Sequence, residues 1–340
     1  MILTFKIKHN RNFNSELEKG KKIAEFVLTH KTRSSKDVKQ FGLKSAIANQ
    51  ILRKYGNNRK IKNVGRIKLT IPSQSIKSNK EERTIEIPCL KFKTIYNFRN
   101  DFEKINQIEL DNEYAYVSVS IKEQPQITPK VWLGLDRNTT GHVAVLANPQ
   151  TGKVIKLGKE ALHVHNKYKN IRRKMQKAGK FGVLKKIKRR ESNIIRNINH
   201  EISKAVVETA IKENAGIKLE KLEGIRKNRK HSRSFNYSLN SWSFYQLQTF
   251  TEYKAGLNGI PLTYIEPKYT SQECSRCGDM GIRDSKKFVC NNCKHVDHAD
   301  ANAAFNISLR PPIGEKGISQ LNADRDAFKG STDTPQGATL

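Results

Sequence analysis

The 340-residue chain carries 64 lysines and arginines against 32 acidic residues, which gives a formal charge of +32 at pH 7. So large an imbalance predicts a polyanionic partner, and the alternative is a charged surface that serves only solubility. A hydrophobic content of 36% excludes a disordered basic tail, and the length predicts two or three folded units.

The distribution of cysteines and of apolar residues indicates the cellular compartment in which the protein works. Four of the five cysteines lie within residues 274–293 and leave Cys89 alone, which excludes a secreted disulfide scaffold. No run of about twenty apolar residues is present, and residues 1–8 alternate like a strand rather than a signal sequence. We therefore expect a cytoplasmic protein that does not contact a membrane.

The first part of the chain predicts an α+β arrangement, a β-barrel interrupted by helices. Helical spacing begins at Asn14, with Ser15 as a plausible N-cap and Glu18 three residues later. Further helices are predicted from about Ser35 and from Leu43 to Tyr55, so that a helical insertion occupies about residues 10–58. Alternating apolar and polar residues predict strands at residues 2–8, 67–71, 84–87, 90–92 and 114–121.

A proline-containing linker at residues 124–129 opens the second half of the chain. Residues 131–136 predict a strand that ends on Asp136, with a hairpin partner at 141–146 and a third strand at 153–157. An acid at the end of the first strand of such a meander is typical of the RNase H-like fold.

A nearly single-signed basic segment follows. Residues 153–196 contain 16 lysines and arginines against Glu160 and Glu191, and they predict a long helix pair broken between Gly179 and Gly182. Because such a segment repels itself unless a polyanion neutralises it, we expect phosphate contacts here. The predicted contact residues are Arg172, Arg173, Lys174, Lys185, Lys186, Lys188, Arg189 and Arg190.

The later elements alternate between helix and strand. An amphipathic helix is predicted at residues 198–211 and a short strand at 216–220, which ends on Glu220. A basic loop at 226–233, a helix through Tyr253 and a strand at 259–265 follow. The Gly, Ser, Thr and Pro content predicts a disordered tail over residues 311–340.

The cysteines Cys274, Cys277, Cys290 and Cys293 are spaced C-x2-C-x12-C-x2-C. Two such pairs can place four thiolates tetrahedrally around zinc. Because four sulfur ligands leave no open coordination position, the predicted zinc is structural, and catalysis must come from other residues.

Three carboxylates are the candidates for catalysis. Asp136 and Glu220 end predicted strands, and Asp300 precedes a helical run at residues 301–309. Oxygen ligands of this kind suit Mg²⁺ or Mn²⁺, and two such ions can support phosphodiester hydrolysis. Taken singly, each acid is better explained as a surface residue, but the three together on a chain of +32 favour a nuclease.

Neighbouring residues leave alternatives open. Glu223 can replace Glu220 as a ligand, and Asp297 either supports a metal-binding acid by a hydrogen bond or is a solvated loop residue. Arg283 either contacts the scissile strand or packs on the zinc ribbon, and His298 is interpreted as structural.

Several stretches together resemble the TnpB (OrfB) family of transposon-encoded RNA-guided nucleases, which are related to compact type V CRISPR effectors. The matching stretches are residues 134–136, 219–222, 253–255, 267–278, 288–293 and 300–307. The amino-terminal half resembles the family only in its order of strand, helices and barrel.

The resemblance implies the domain order and the function. It implies a wedge-like, OB-like barrel with a helical recognition insertion at residues 1–128 and a RuvC-like nuclease domain at 129–271 and 297–310, interrupted by a zinc ribbon at 272–296. Asp136, Glu220 and Asp300 would bind catalytic Mg²⁺ as a pair of ions. Apart from the resemblance, Arg283 is predicted as a nucleic-acid contact. The implied partners are a guide RNA from the transposon end and double-stranded target DNA read beside a short motif. The protein would be nucleoid-associated when bound to DNA and encoded beside a small transposase.

Three features depart from the family pattern. Asn138 stands where the family commonly has glycine, which would crowd the metal site or alter the hairpin. Some members have lost catalytic acids and act as RNA-guided repressors, whereas all three acids are present here. The chain is short for the family, so its helical insertion is expected to be minimal. The competing hypotheses are such a repressor and an accessory transposition protein that acts without RNA.

Overall fold

The computed structural model describes residues 1–56, 61–98, 101–222 and 244–313. The chain divides into two compact units, Met1–Lys122 and Glu123–Leu340, and the predicted α+β class is confirmed. Among the helices in these ranges, none combines the length and the apolar character needed to cross a bilayer.

The described part of the first unit contains helices and two antiparallel sheets. Its elements are β1 (Ile2–Lys8), α1 (Asn14–His30), α2 (Ser45–Gly56), β2 (Leu69–Pro72), β3 (Lys77–Asn79), β4 (Thr84–Ile87), β5 (Phe92–Ile95), β6 (Lys104–Leu110) and β7 (Tyr114–Ser120). One sheet has the order β1-β7-β6-β2 and the other β3-β4-β5. The closed barrel stays a prediction.

One face of the four-stranded sheet is apolar and the other is polar. Ala115, Val117 and Val119 of β7 are fully buried, whereas Tyr114 and Tyr116, at alternate positions of the same strand, are only half-buried. Alternation of this kind follows from the strand's two-residue period. Both helices pack near β2, because a Cβ placed on Gly20 of α1 would lie 3.2 Å from Ile51 and 3.4 Å from Leu69.

The structure corrects some predictions for this unit. Ser15 is not the N-cap of α1, because the helix already includes Asn14 and its cap residue is Phe13, without a side-chain cap hydrogen bond. The helix predicted from Ser35 is wrong, since only a 3-10 turn at Lys39–Phe41 forms there. Strand β5 begins at Phe92 because Pro88–Leu90 form another 3-10 turn.

Two strands of this unit, β3 and β6, were not predicted from the sequence. The register of β6 shifts between Ile105 and Gln107, which breaks the alternation that would have identified it. All three residues of β3 are exposed and polar, so they carry no apolar pattern.

The second unit is built on a five-stranded sheet. Its elements are β8 (Val131–Arg137), β9 (Ala144–Ala147), β10 (Val154–Leu157), α3 (Lys159–Lys177), α4 (Phe181–Lys212), β11 (Ala215–Glu220), α5 (Phe244–Leu257), β12 (Leu262–Ile265), β13 (Gly281–Asp284), β14 (Lys287–Cys290), β15 (Val296–His298) and α6 (Ala299–Leu309). The sheet order is β10-β9-β8-β11-β12, in which β11 and β12 run parallel to β8. The strands predicted here are confirmed: β8 and β11 are each one residue longer than predicted, and β9, β10 and β12 are shorter.

Helices cover both faces of this sheet. Leu133 and Leu135 of β8 pack in a core cluster with residues of α4, whereas Val145 of β9 packs with Ala304 and Phe305 of α6. A sheet buried on both faces explains why β8 lacks the clean alternation of a surface strand.

Helix α6 approaches β8 so closely that only glycine fits at the crossing. A Cβ on Gly134 would lie 1.9 Å from the carbonyl oxygen of Ala304 and 2.5 Å from the amide nitrogen of Ser308. At the far end of α6, the buried Lys218 of β11 donates from Nζ to the carbonyl oxygens of Ser308 and Arg310. The last carbonyl groups of a helix have no hydrogen-bond donor within the helix, and Lys218 supplies one. Its positive charge also interacts favourably with the negative, C-terminal end of the helix dipole.

The basic loop predicted at residues 226–233 and most of the tail predicted to be disordered lie outside the described residues.

Candidate metal centres and acidic site

The four cysteine thiols converge in one cluster. Their Sγ atoms all lie within 4.8 Å of one another. Cys274 and Cys293 are separated by 3.6 Å, and Cys277 and Cys290 by 3.5 Å, between their Sγ atoms. Zinc bound tetrahedrally at about 2.3 Å from sulfur requires sulfur atoms about 3.8 Å apart. The cluster therefore fits the zinc that the spacing predicts.

The zinc ribbon is tied to α6 by two asparagines one helical turn apart. The Asn302 amide accepts a hydrogen bond from the backbone N–H of Ser275 and donates to the carbonyl of Glu273. Asn306 donates to the carbonyls of Thr270 and Glu273. Both asparagines are buried, so the segment that enters the ribbon is anchored to the helix that carries Asp300.

Sheet geometry brings Asp136 and Glu220 to one edge and one face. Leu135 of β8 pairs with Leu219 of β11 in parallel register, so the next residue on each strand is an acid at the same edge. Gly134 and Lys218 contact α6, and the two-residue period puts Asp136 and Glu220 on that same face. Asp300 lies in the first turn of α6 and completes the group.

The charges of the three acids interact. Burial, together with the nearby carboxylates of Glu220 and Asp300, raises the pKa of Asp136 to about 7. Burial also raises the pKa of Glu220, although the Thr270 hydroxyl and the Arg137 guanidinium oppose this shift. Carboxylates that repel one another in a buried site favour a bound cation, and three oxygen donors suit Mg²⁺.

Two basic residues of the ribbon contact the third acid. Arg283 donates from Nη2 to Asp300 Oδ1 at 3.1 Å, and Lys286 donates from Nζ to Asp300 Oδ2 at 2.6 Å. Lys286 also donates to the carbonyl of Thr140, in the turn after β8. Arg283 also donates from Nε to the Ser285 carbonyl of its own hairpin, and its contact with the scissile strand stays a prediction.

Hydrogen bonds orient the other two acids. Asn138 donates from Nδ2 to Asp136 Oδ2 at 2.8 Å, so it holds the first acid instead of crowding the site. The Thr270 hydroxyl donates to Glu220 Oε1. Arg137 donates to the carbonyl oxygen of Glu220, at 2.6 Å, and to Gln248.

The remaining alternatives have different outcomes. Nδ1 of His298 accepts a hydrogen bond from the backbone N–H of Asp300, which agrees with a structural role for His298 as the N-cap of α6. Asp297 is not a solvated loop residue, because its side chain is 8% exposed and lies 3.7 Å from His295. Glu223 lies outside the described residues.

The basic helix pair presents most of its cations to solvent. Of the predicted phosphate-contact residues, six are exposed: Arg173, Lys174, Lys185, Lys186, Arg189 and Arg190. Arg172 differs, because its guanidinium bonds to Glu191, which also lies 3.5 Å from His165. For Lys188, only the backbone is described.

Sequence reasoning missed several residues that support the acidic site or the helix α6 beside it, namely Arg137, Lys218, Thr270, Lys286, Asn302 and Asn306. The asparagines carried a usable signal, since polar residues four apart on an otherwise apolar helix indicate a buried polar contact. For the others the contact depends on distant segments, and the local sequence gives no sign of it.

Comparison with known proteins agrees with the resemblance seen in the sequence. Residues 244–307 match the Cas12f1-like TNB domain family. The chain is 36% identical over 152 residues to a TnpB-like protein of Methanocaldococcus jannaschii, a match that covers 42% of this chain and 55% of that protein. It is 41% identical over 115 residues to the CRISPR-associated endodeoxyribonuclease Cas12f1 of Sulfoacidibacillus thermotolerans, covering 33% of this chain and 26% of that protein.

The fold has a counterpart among solved structures. The chain resembles the structure of a Cas12f1-sgRNA-target DNA complex with a TM-score of 0.58 and 15% identity, over 87% of this chain and 82% of that one. At this identity the likeness concerns the fold alone. The two sequence matches confirm the predicted resemblance to the TnpB family. They span about half the length of the TnpB-like protein and about a quarter of the length of Cas12f1.

Proposed function

We propose that this chain, with its confirmed likeness to TnpB proteins, is an RNA-guided DNA endonuclease of a transposable element. The observation that carries the proposal is the meeting of Asp136, Glu220 and Asp300 at one buried edge of the second unit's sheet, where burial and the neighbouring carboxylates raise the pKa of Asp136. The names of the relatives, TnpB-like protein and endodeoxyribonuclease Cas12f1, agree with this chemistry.

The acidic site would hydrolyse the phosphodiester bond of target DNA with divalent metal ions. Mg²⁺ ions held by the three carboxylates would supply the charge that activates water and stabilises the leaving oxygen. Asn138 and Thr270 keep Asp136 and Glu220 in fixed orientations. Arg283 and Lys286 bring positive charge to the same edge, which favours the approach of a phosphate.

The zinc would be structural, because four thiolates complete its coordination. Its part in the reaction is indirect: the folded ribbon carries Arg283 and Lys286 to Asp300. In this proposal the RuvC-like domain comprises residues 129–271 and 297–310, with the ribbon between them.

The guide RNA and target DNA would be held partly by exposed cations of the α3–α4 pair. A chain of +32 gains affinity for any polyanion through counterion release, and base pairing with the guide then supplies sequence selectivity. We further propose that the protein cuts beside a short adjacent motif and acts in the cytoplasm, associated with the nucleoid when bound to DNA. A neighbouring gene for a small transposase belongs to the same proposal.

The test is cleavage by purified protein. The chain is co-expressed with RNA from the transposon end, purified, and given Mg²⁺ and a duplex matched to that RNA. We expect cleavage by the wild type and by Glu208→Ala, which alters an exposed acid of α4. Asp136→Ala should abolish cleavage while target binding persists.

Other outcomes identify the competing functions. Binding without cleavage under every guide and adjacent motif would contradict the nuclease and favour an RNA-guided repressor. If no discrete RNA copurifies, an accessory transposition protein is favoured.

A further inference from the structure

The polar face of the first unit's four-stranded sheet carries a groove of about 830 Å³. Tyr114 and Tyr116 of β7 line it on the side opposite the buried Ala115 and Val117. Cations of three segments also line it, namely Lys6 of β1, Lys21 of α1, and Arg66 and Lys68 before β2. The groove therefore combines neighbouring aromatic rings with several positive charges.

Each tyrosine ring has an ammonium group over its face. Nζ of Lys6 lies 3.4 Å from the ring centroid of Tyr114, and Nζ of Lys68 lies 3.3 Å from that of Tyr116. The two centroids are 6.4 Å apart. Lys68 also lies 3.6 Å from Glu109, whereas the Lys6 side chain is exposed.

This arrangement suits an unpaired nucleobase better than a phosphate alone. A base can replace an ammonium on a ring face, because every base has a π-face and stacking on an aromatic side chain is stronger than an exposed cation–π contact. The displaced ammonium, on its flexible stem, can then pair with the phosphate of the same nucleotide. Two rings on alternate residues of one strand offer two such positions.

We propose that this face binds single-stranded RNA by stacking unpaired bases on Tyr114 and Tyr116, with Lys6 and Lys68 on the adjoining phosphates. The inference rests on the proposed RNA partner and names the surface of the first unit that receives part of it.

The acids that line the groove are compatible with bases at this position. Asp111 already accepts hydrogen bonds from the backbone N–H groups of Glu113 and Tyr114 and from the Tyr116 hydroxyl. Glu18 and Glu113 also line the groove and oppose a phosphate near them. A carboxylate can accept from the exocyclic amino group of a base, so base edges rather than phosphates should face Asp111.

A duplex does not fit this role. Its bases are stacked on one another and cannot present a free face to a tyrosine. Single-stranded RNA should therefore bind this groove in preference to duplex RNA of the same length.

The test uses the full chain and short single-stranded RNAs that carry the fluorescent base 2-aminopurine, at about 0.5 M salt, where exposed phosphate contacts are screened. Stacking should quench the fluorescence with the wild type. Tyr114→Ala and Tyr116→Ala should each weaken binding by about 5- to 100-fold and remove quenching. Tyr114→Phe and Tyr116→Phe retain a ring and should still quench.

Controls separate stacking from charge and from misfolding. Tyr245→Ala removes a ring that is 76% exposed on α5 and should change nothing. Tyr114→Leu keeps apolar bulk without a ring, and thermal melts identify any variant that unfolds. Lys6→Gln should lower the slope of log affinity against log salt by about 0.7 while quenching remains.

The outcomes are distinct. RNA binding by the wild type that does not depend on either tyrosine ring overturns this inference and leaves the proposed function standing. Preference for single-stranded DNA of the same sequence, or equal quenching with duplex RNA, overturns the assignment to RNA. Failure of the wild type to bind any RNA contradicts the proposed function as well.

Discussion

Basic side chains meet acids in two regions of the second unit, and the two regions use them differently. At the acidic site, Arg283 and Lys286 bond to Asp300, whose side chain is 1% exposed. In the α3–α4 pair, Glu191 bonds to Arg172, while most of the surrounding cations are exposed. The difference teaches that the charge of a segment does not reveal its role, because a cation that is bonded to a buried acid positions that acid, whereas an exposed cation without such a bond remains available to a polyanion.

The close packing that creates the acidic site should be its most sensitive feature. Gly134→Ala puts a methyl group into the backbone of α6, so we expect a loss of at least about 3 kcal/mol in the free energy of unfolding. Gly182→Ala is the matched control, because its Cβ meets nothing within 4 Å, and alanine should stabilise α4 by up to about 1 kcal/mol. Urea unfolding measures both, and equal stability of the two variants would show that α6 moves aside freely.

A smaller loss should follow when α6 loses its C-terminal donor. Lys218→Met removes two hydrogen bonds from a buried ammonium group to the carbonyls of Ser308 and Arg310, which should cost about 2 kcal/mol of unfolding free energy. Lys287→Met on the exposed side of β14 is the control and should have little effect. If the two variants unfold at the same urea concentration, Lys218 does not stabilise the helix end.

In the basic helix pair, the half-buried acid Glu191 should matter less. Glu191→Gln leaves Arg172 and His165 without their anion, and we expect a loss of about 1 kcal/mol at pH 7. Burial opposes ionisation, but hydrogen bonds from His165 and Arg172 lower the pKa of Glu191 below its usual value. Its stabilisation is therefore complete above the ordinary pKa of 4.5 and is lost as the pH falls through the lowered value.

That pH dependence supplies the measurement. Urea unfolding of wild type and Glu191→Gln should differ at pH 7 and converge in strong acid. Glu208→Gln, in an exposed pair with Lys204, should match the wild type throughout. A difference that persists unchanged at low pH would contradict a role for the ionised carboxylate.

The smallest effect should come from one exposed cation. Arg189→Gln should weaken binding of a single-stranded RNA only a few-fold and lower the salt slope by about 0.7, since one phosphate contact is lost. Arg172→Gln is the informative comparison. Because the Arg172 guanidinium of the wild type already bonds to Glu191, its loss should leave the slope of log affinity against log salt unchanged. Salt titrations measure both, and equal slopes for the two variants would erase the distinction between an exposed cation and one that is bonded to an acid.

The sequence predicted those parts of the fold that leave a periodic local signal. Strand β1 and helix α6 follow from spacing, and strand β11 was predicted to within one residue. The strand β6 escaped because its register shift interrupts the period, and the helix expected from Ser35 failed because local propensity does not determine whether tertiary contacts support a helix.

The same division holds for the candidate site. Asp136 and Glu220 could be chosen because each closes an apolar strand, and parallel strands deliver their ends to one edge. The partners that orient them could not be chosen, since Thr270 lies 50 residues from Glu220 and Lys286 contacts Thr140 from 146 residues away. Such contacts depend on how the helix and the ribbon pack on the sheet, which no local pattern encodes.

The asparagine anchors make the ribbon a module with its two ends side by side. Because Asn302 of α6 bonds to both Glu273 and Ser275, the segment that enters the ribbon lies against the helix that follows the ribbon in the chain. A short loop could bridge these two ends at a low entropic cost of closure. Such a shortened chain would keep all three acids and lose Arg283, Lys286 and the zinc ligands together, which makes the ribbon exchangeable by protein engineering.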